Sequence, residues 1–127
     1  MDTPDQAYMR RAIELARQAE ATGEVPVGAV IVRGKEIIAE GFNRPISTHD
    51  PTAHAEMIAL QLAERRIASY TLAADGHPAH ELFTSCAPCA MCLGAALWSG
   101  VTRIVFGGAR EDAERVVAAM RAAPYGA

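Results

Sequence analysis

ELFTSCAPCAMCLGAALWSGVTRIVF, running from Glu81 to Phe106, changes character twice, and those two changes decide the fold class. Glu81 to Cys86 reads as a short strand. Pro88 restarts the chain as a helix that runs to about Trp98, since proline suits a first helical turn. Val101 to Phe106 then reads as a buried strand ended by Gly107-Gly108. Strands that alternate with helices in this way imply a mixed sheet carrying helices on its faces.

The N-terminal half extends that reading. Thr3-Pro4 has the form of an N-cap followed by proline, and Met9, Ile13, Leu15, Ala16 and Ala19 supply an apolar face up to a stop at Gly23. Val25 to Val32 and Glu36 to Phe42 read as two antiparallel strands joined across Arg33-Gly34-Lys35. The polar stretch Asn43 to Pro51 reads as a loop, Ala53 to Arg66 as a helix, and Glu111 to Arg121 as a last helix before Pro124. The order αββαβαβα places residues 1–127 in the α/β class, as one three-layer α/β/α sandwich around a mixed central sheet.

Composition narrows the function. Twelve basic residues against 15 acidic ones give a net charge of −3, without the basic excess that electrostatic binding of nucleic acid normally uses. No apolar run approaches the roughly 20 residues of a membrane helix, and no signal-peptide core follows Asp2 and Asp5, so a cytoplasmic protein with no membrane partner is expected. Cys86, Cys89 and Cys92 stand too close together to staple distant parts of a fold, which turns attention to metal or redox chemistry.

That chemistry concentrates in Thr52-Ala53-His54-Ala55-Glu56 and Pro88-Cys89-Ala90-Met91-Cys92, each placed where a loop enters a helix. Cysteines three apart on a helix share a face, and the positive helix end favours their thiolate forms. With His54 they make a mixed nitrogen and sulfur set that suits Zn2+, and three protein ligands leave a fourth position for water, the arrangement of a catalytic site. Such a centre is formally neutral, so its water profits from a nearby base, for which Glu56 is placed. A C-x-x-C pair alone is as often a redox pair or half of a structural zinc site, and a non-catalytic zinc-stabilised module would have no use for Glu56. The order H-x-E then P-C-x-x-C, with helix starts at both, is similar to the recurring signature of zinc deaminases, and that resemblance implies hydrolytic deamination, Glu56 taking a proton from water and returning it as ammonia leaves.

On these motifs, and over about residues 8 to 112, the sequence resembles the cytidine deaminase superfamily, in the branch holding bacterial tRNA adenosine deaminases, guanine deaminases and fungal-type cytosine deaminases. Glu24-Val25-Pro26-Val27-Gly28-Ala29-Val30, Gly41-Phe42-Asn43-Arg44-Pro45-Ile46 and His49-Asp50-Pro51-Thr52-Ala53-His54-Ala55-Glu56 look most like the tRNA enzymes. Thr84-Ser85-Cys86, Met91-Cys92-Leu93-Gly94-Ala95 and Trp98 look like guanine deaminase. Ala87 and Gly100 depart from both, standing where glutamate and arginine are usual. The chain also ends at Ala127, before the fifth strand and C-terminal helix of the tRNA enzymes.

The resemblance implies a small nucleobase as substrate, guanine ahead of cytosine, with tRNA wobble adenosine as the less favoured alternative, and a homodimer as the assembly. It implies base contacts from Asn43, Ala29, Ala53, Ser85, Trp98 and Asp112. Asn43, whose amide both donates and accepts, also has the plain reading of a turn residue satisfying local backbone. Val27, Gly28 and Ala29 are expected to line the pocket floor, although a strand glycine equally marks a bulge. Trp98 taken alone reads as core. Cys86 reads as a small buried hydrophobe, and His49, His77 and His80 as exposed loop residues. A sheet edge near Val101 to Phe106 is expected to lie open, a reason to look for a second subunit.

Overall fold

The computed structural model describes residues 3–73 and 79–108, and its first helix, α1 (Pro4–Ala21), begins and ends on the signals that announce it. Thr3 and Gln6 form a reciprocal capping box, with the Gln6 amide on Thr3 Oγ1 at 3.2 Å and the Thr3 amide on Gln6 Oε1 at 2.9 Å. At the other end Gly23 takes φ 82°, and the amides of Gly23 and Glu24 close on the carbonyls of Glu20 and Ala19, both at 3.0 Å. This is a Schellman stop, which needs the left-handed residue that glycine supplies.

Strands β1 (Gly28–Arg33) and β2 (Glu36–Phe42) pair antiparallel around Gly34. β3 (His80–Thr84) pairs antiparallel with β1, and β4 (Arg103–Phe106) runs parallel to β3. The order β2-β1-β3-β4 is therefore a mixed sheet. Leu15 of α1 packs with Val30, Val32 and Phe83 on one face. Ala29, Ile31 and Leu82 meet Ala55, Ala59, Leu60 and Ala63 of α3 (Ala55–Ile67) and Ala96 of α4 (Ala90–Ser99) on the other. Helices thus cover both faces, the expected three layers.

Several local expectations change. A short helix, α2 (Pro45–Thr48), occupies part of the stretch read as loop, with Pro45 at its first position and His49 left-handed at its end. β1 starts at Gly28 rather than Val25, and β3 begins at His80, which is fully buried instead of exposed in a loop. β4 forms an edge of the described sheet, so Arg103 and Phe106 are exposed and the strand is not buried as a run of apolar residues suggested. Arg103 binds Asp5 at 2.6 Å and Glu81 at 2.8 Å, tying that edge to α1. The bulge lies not at Gly28 but between Ile31 and Val32. Among the described residues no helix is long and apolar enough to cross a membrane. The expected last helix, Asp112 and His77 lie outside the described residues.

Candidate metal centre

His54 and Cys89 are the N-cap residues of α3 and α4, both with extended backbone, and neither spends its side chain on capping. An N-cap side chain normally accepts from the first amides of its helix. Here both are free to point elsewhere, and α3 packs against α4 on the same face of the sheet, so the two helix starts converge. Gly41 makes that convergence possible, because a Cβ there would sit 2.5 Å from the Ala55 carbonyl and 2.9 Å from the Ala59 amide. β2 therefore approaches the first turn of α3 more closely than any other residue would permit.

His54 Nδ1 lies 3.6 Å from Cys89 Sγ and 3.5 Å from Cys92 Sγ, and the three ligand atoms all fall within 4.8 Å of one another. Zinc with sulfur at about 2.3 Å and nitrogen at about 2.05 Å in tetrahedral geometry places those ligand atoms roughly 3.6 Å apart. The two nitrogen-to-sulfur spacings match that edge, so His54, Cys89 and Cys92 could hold a zinc ion. Burial holds the His54 imidazole below its ordinary pKa, in the neutral form a ligand needs. It pushes the Cys92 thiol up, with Glu56 and Cys89 adding to the effect; a divalent cation reverses this, since a coordinating thiol is deprotonated.

Glu56, in the first turn of α3, is only 3% exposed. Its carboxyl meets Cys92, and burial pushes it above the usual carboxylate range despite that contact and its own backbone amide. Glu56 Oε1 is buried with no hydrogen-bond partner among the described residues. A buried, unpartnered carboxylate oxygen beside a metal-ligand set is costly unless something else uses it.

The remaining candidates divide. Asn43 is buried, and its Oδ1 accepts the Ala55 amide at 2.8 Å. The plain reading of Asn43 thus holds for its oxygen, which satisfies the first amide of α3 that His54 leaves uncapped. Its Nδ2 bonds none of the described residues. Ala29 is fully buried on the α3 face of β1, and Ala53 is buried beside His54, lining a cleft of about 240 Å³ with Arg44, Thr48, Thr52 and Gln61. Ser85 exchanges two bonds with Gly28, its Oγ accepting the Gly28 amide at 3.0 Å and its amide donating to the Gly28 carbonyl at 2.9 Å. Gly28 itself does not line a pocket: a Cβ there would run into the Ala12 carbonyl and come within 2.6 Å of the Ala16 amide, so it serves the packing of α1. Trp98 is 85% exposed on α4, against its core reading. Cys86 packs against the core with its thiol pushed up to about 11 by burial, Glu56 and Cys89, and takes no part in the cluster. The buried Thr84 hydroxyl, also without a described partner, was not anticipated; a threonine ending a strand carries no signal of it.

A family model for the cytidine and deoxycytidylate deaminase zinc-binding region matches residues 2–108. The chain belongs to that family. It is similar to a tRNA-specific adenosine deaminase of Haemophilus influenzae, 48% identical over 81% of this chain and 57% of that protein. It is similar also to a guanine deaminase of Bacillus subtilis, 38% identical over 85% of this chain and 67% of the relative. Among solved structures it superposes on guanine deaminase from Nitrosomonas europaea with TM-score 0.85 at 38% identity, covering 91% of this chain and 64% of that one. The chain therefore spans little more than half the length of the Haemophilus relative. Deaminases of this family are zinc-dependent hydrolases, and the resemblance seen in the motifs stands.

Proposed function

We propose that this chain deaminates an amino-bearing nucleobase by hydrolysis, and the observation that carries the reading is the buried, unpartnered Glu56 Oε1 beside His54, Cys89 and Cys92. A zinc ion held by those three residues would polarise a water molecule. Glu56 is placed to take that water's proton and hand it to the ring, then to the departing amine, so that C–NH2 and H2O become C=O and NH3. Its raised pKa suits a group that must both accept and return a proton. Asn43, with its oxygen committed to Ala55, addresses the base as a donor through Nδ2. Ala29, Ala53 and Ser85 are proposed to border the ring, with Trp98 and Asp112 as further contacts.

A free base, guanine ahead of cytosine, is the favoured substrate. The acidic net charge of −3 and the guanine deaminase neighbour support it. The second reading, wobble adenosine of tRNA, rests on the 48% identity to the Haemophilus protein. Ammonia release from guanine, cytosine, adenine and an anticodon stem-loop separates the two. Turnover of the stem-loop with silence on every free base and nucleoside would overturn the free-base reading. We place the protein in the cytoplasm, where its free cysteines stay reduced. We also propose a homodimer that covers Leu93, Leu97 and Trp98 on the open side of α4, the last two 79% and 85% exposed. Sedimentation velocity measures it, and a monomer at micromolar concentration would refute it.

A further inference from the structure

Helix α2 has an unusual start. Its N-cap, Arg44, makes no side-chain cap, and Pro45 at its first position has no amide to offer. The next two amides, of Ile46 and Ser47, are the ones an N-cap would ordinarily satisfy. They are taken instead by a carboxylate from a distant part of the chain: Ile46 N–H donates to Glu24 Oε1 at 3.0 Å and Ser47 N–H to Glu24 Oε2 at 2.8 Å. Glu24 is 4% exposed, so both bonds are sheltered from water. Bonds to a charged acceptor are about twice as strong as neutral ones, and the positive end of a helix favours the anion further.

The other end of this grip is fixed as well. Glu24 is the last residue of the Schellman stop after α1, its amide held on the Ala19 carbonyl at 3.0 Å. A rigid post therefore holds the segment between β2 and α3. That segment is closed on itself by Arg44 N–H to the Ala53 carbonyl at 3.0 Å and by Asn43 Oδ1 on the Ala55 amide at 2.8 Å. Asn43 thus belongs to the segment that Glu24 anchors, two residues before α2 begins.

We propose that Glu24 is a positioning residue for the base: by capping α2 from α1 it holds Asn43 with Nδ2 turned to the substrate. The proposal rests on the deaminase reading, through the role given to Asn43. Burial works against the Glu24 anion, but the Ser47 and Ile46 amides, the Ser47 hydroxyl and the Arg44 cation together hold its carboxyl below the usual range, so it remains an acceptor at neutral pH.

Glu24→Gln tests it, because the amide keeps the size but offers only one acceptor oxygen to two amides. The expected result is a zinc content unchanged from wild type, a KM for the base raised roughly tenfold and a kcat within about twofold, the pattern of lost binding. Amide exchange at Ala55, whose proton reports the Asn43 bond, is expected to quicken while exchange in the middle of α1 does not. Should Glu24→Gln not fold, Glu24→Asp, one methylene short and still anionic, is expected to give the same split at smaller size. Unchanged KM and unchanged Ala55 exchange would overturn the proposal, as would loss of zinc with a matching fall in kcat, which would move the defect to His54. Wild-type protein inert toward every free base would refute the substrate reading instead, and the exchange measurement would still decide the role of Glu24.

Discussion

Replacing Gly41 by alanine should damage the metal centre through backbone alone. The new Cβ would meet the Ala55 carbonyl at 2.5 Å, about 0.9 Å inside the 3.4 Å at which ordinary contact begins, and the Ala59 amide at 2.9 Å. Neither atom can rotate away, so β2 and the start of α3 must separate by most of that shortfall. Overpacking of this kind costs about 1 to 3 kcal/mol. Ala55 directly follows His54, and a ligand set tolerates only about 0.2 Å of error. The Nδ1 to sulfur spacings of 3.5 and 3.6 Å would open, weakening zinc by about 10- to 100-fold, the size seen when an outer support of a ligand is lost. Gly28→Ala is the control, since its Cβ would meet Ala12, Ala16 and Leu15 of α1, on the other face. Urea unfolding with a colorimetric zinc competition on both variants separates the effects: both should lose stability, and only Gly41→Ala should lose affinity. Gly41→Ala with wild-type zinc affinity, or with wild-type stability, would refute the reasoning.

Glu56→Ala should retain one zinc per chain and lower kcat by about 10²- to 10⁴-fold, the usual share of a proton shuttle, as metal analysis beside ammonia release would show; loss of zinc would favour a structural role. Cys92→Ser should weaken zinc more than about a hundredfold, beyond the effect of losing an outer partner, whereas Cys86→Ser should leave the zinc titration unchanged, its thiol being no ligand. The Glu40 carboxyl is held below its ordinary value of 4.5 by its bond to the Arg11 guanidinium, against burial. A depressed folded-state value stabilises above 4.5 and stops doing so as pH falls through it, so the advantage of wild type over Glu40→Gln in thermal unfolding should be full at pH 7 and fade below about pH 4.5.

What could be read from the sequence was what depends on near neighbours. Thr3-Pro4 and Gly23 bound α1 because capping partners lie within five residues, and Cys89 and Cys92 share a helix turn with Pro88 before it. His54 joined them through ligand chemistry rather than spacing, since no sequence rule brings residues 35 and 38 positions apart to one ion. The misplacements share the opposite cause. His80 looked like a loop residue because its burial comes from pairing with Arg33 across the sheet. Phe106 reads as buried because its run is apolar, while it is exposed on β4, the edge strand of the described sheet. Helix α2 lacked a local cap, and the carboxylate that replaces it stands more than twenty residues upstream. Trp98 taken alone reads as core by residue type, whereas its side chain on α4 is exposed.

The placement of the ligands on two helix starts would make a bound metal a clasp between α3 and α4. His54 and the two cysteines close loops of 35 and 38 residues around part of the sheet, so an unfolded chain offers the ion no comparable grip. At a free zinc concentration a hundred times the dissociation constant, binding of this kind adds about 2.7 kcal/mol to the folded state. Melting temperatures of variants would then shift with the metal buffer as much as with the substitution, and a chelator would unmask destabilised variants that saturating zinc conceals.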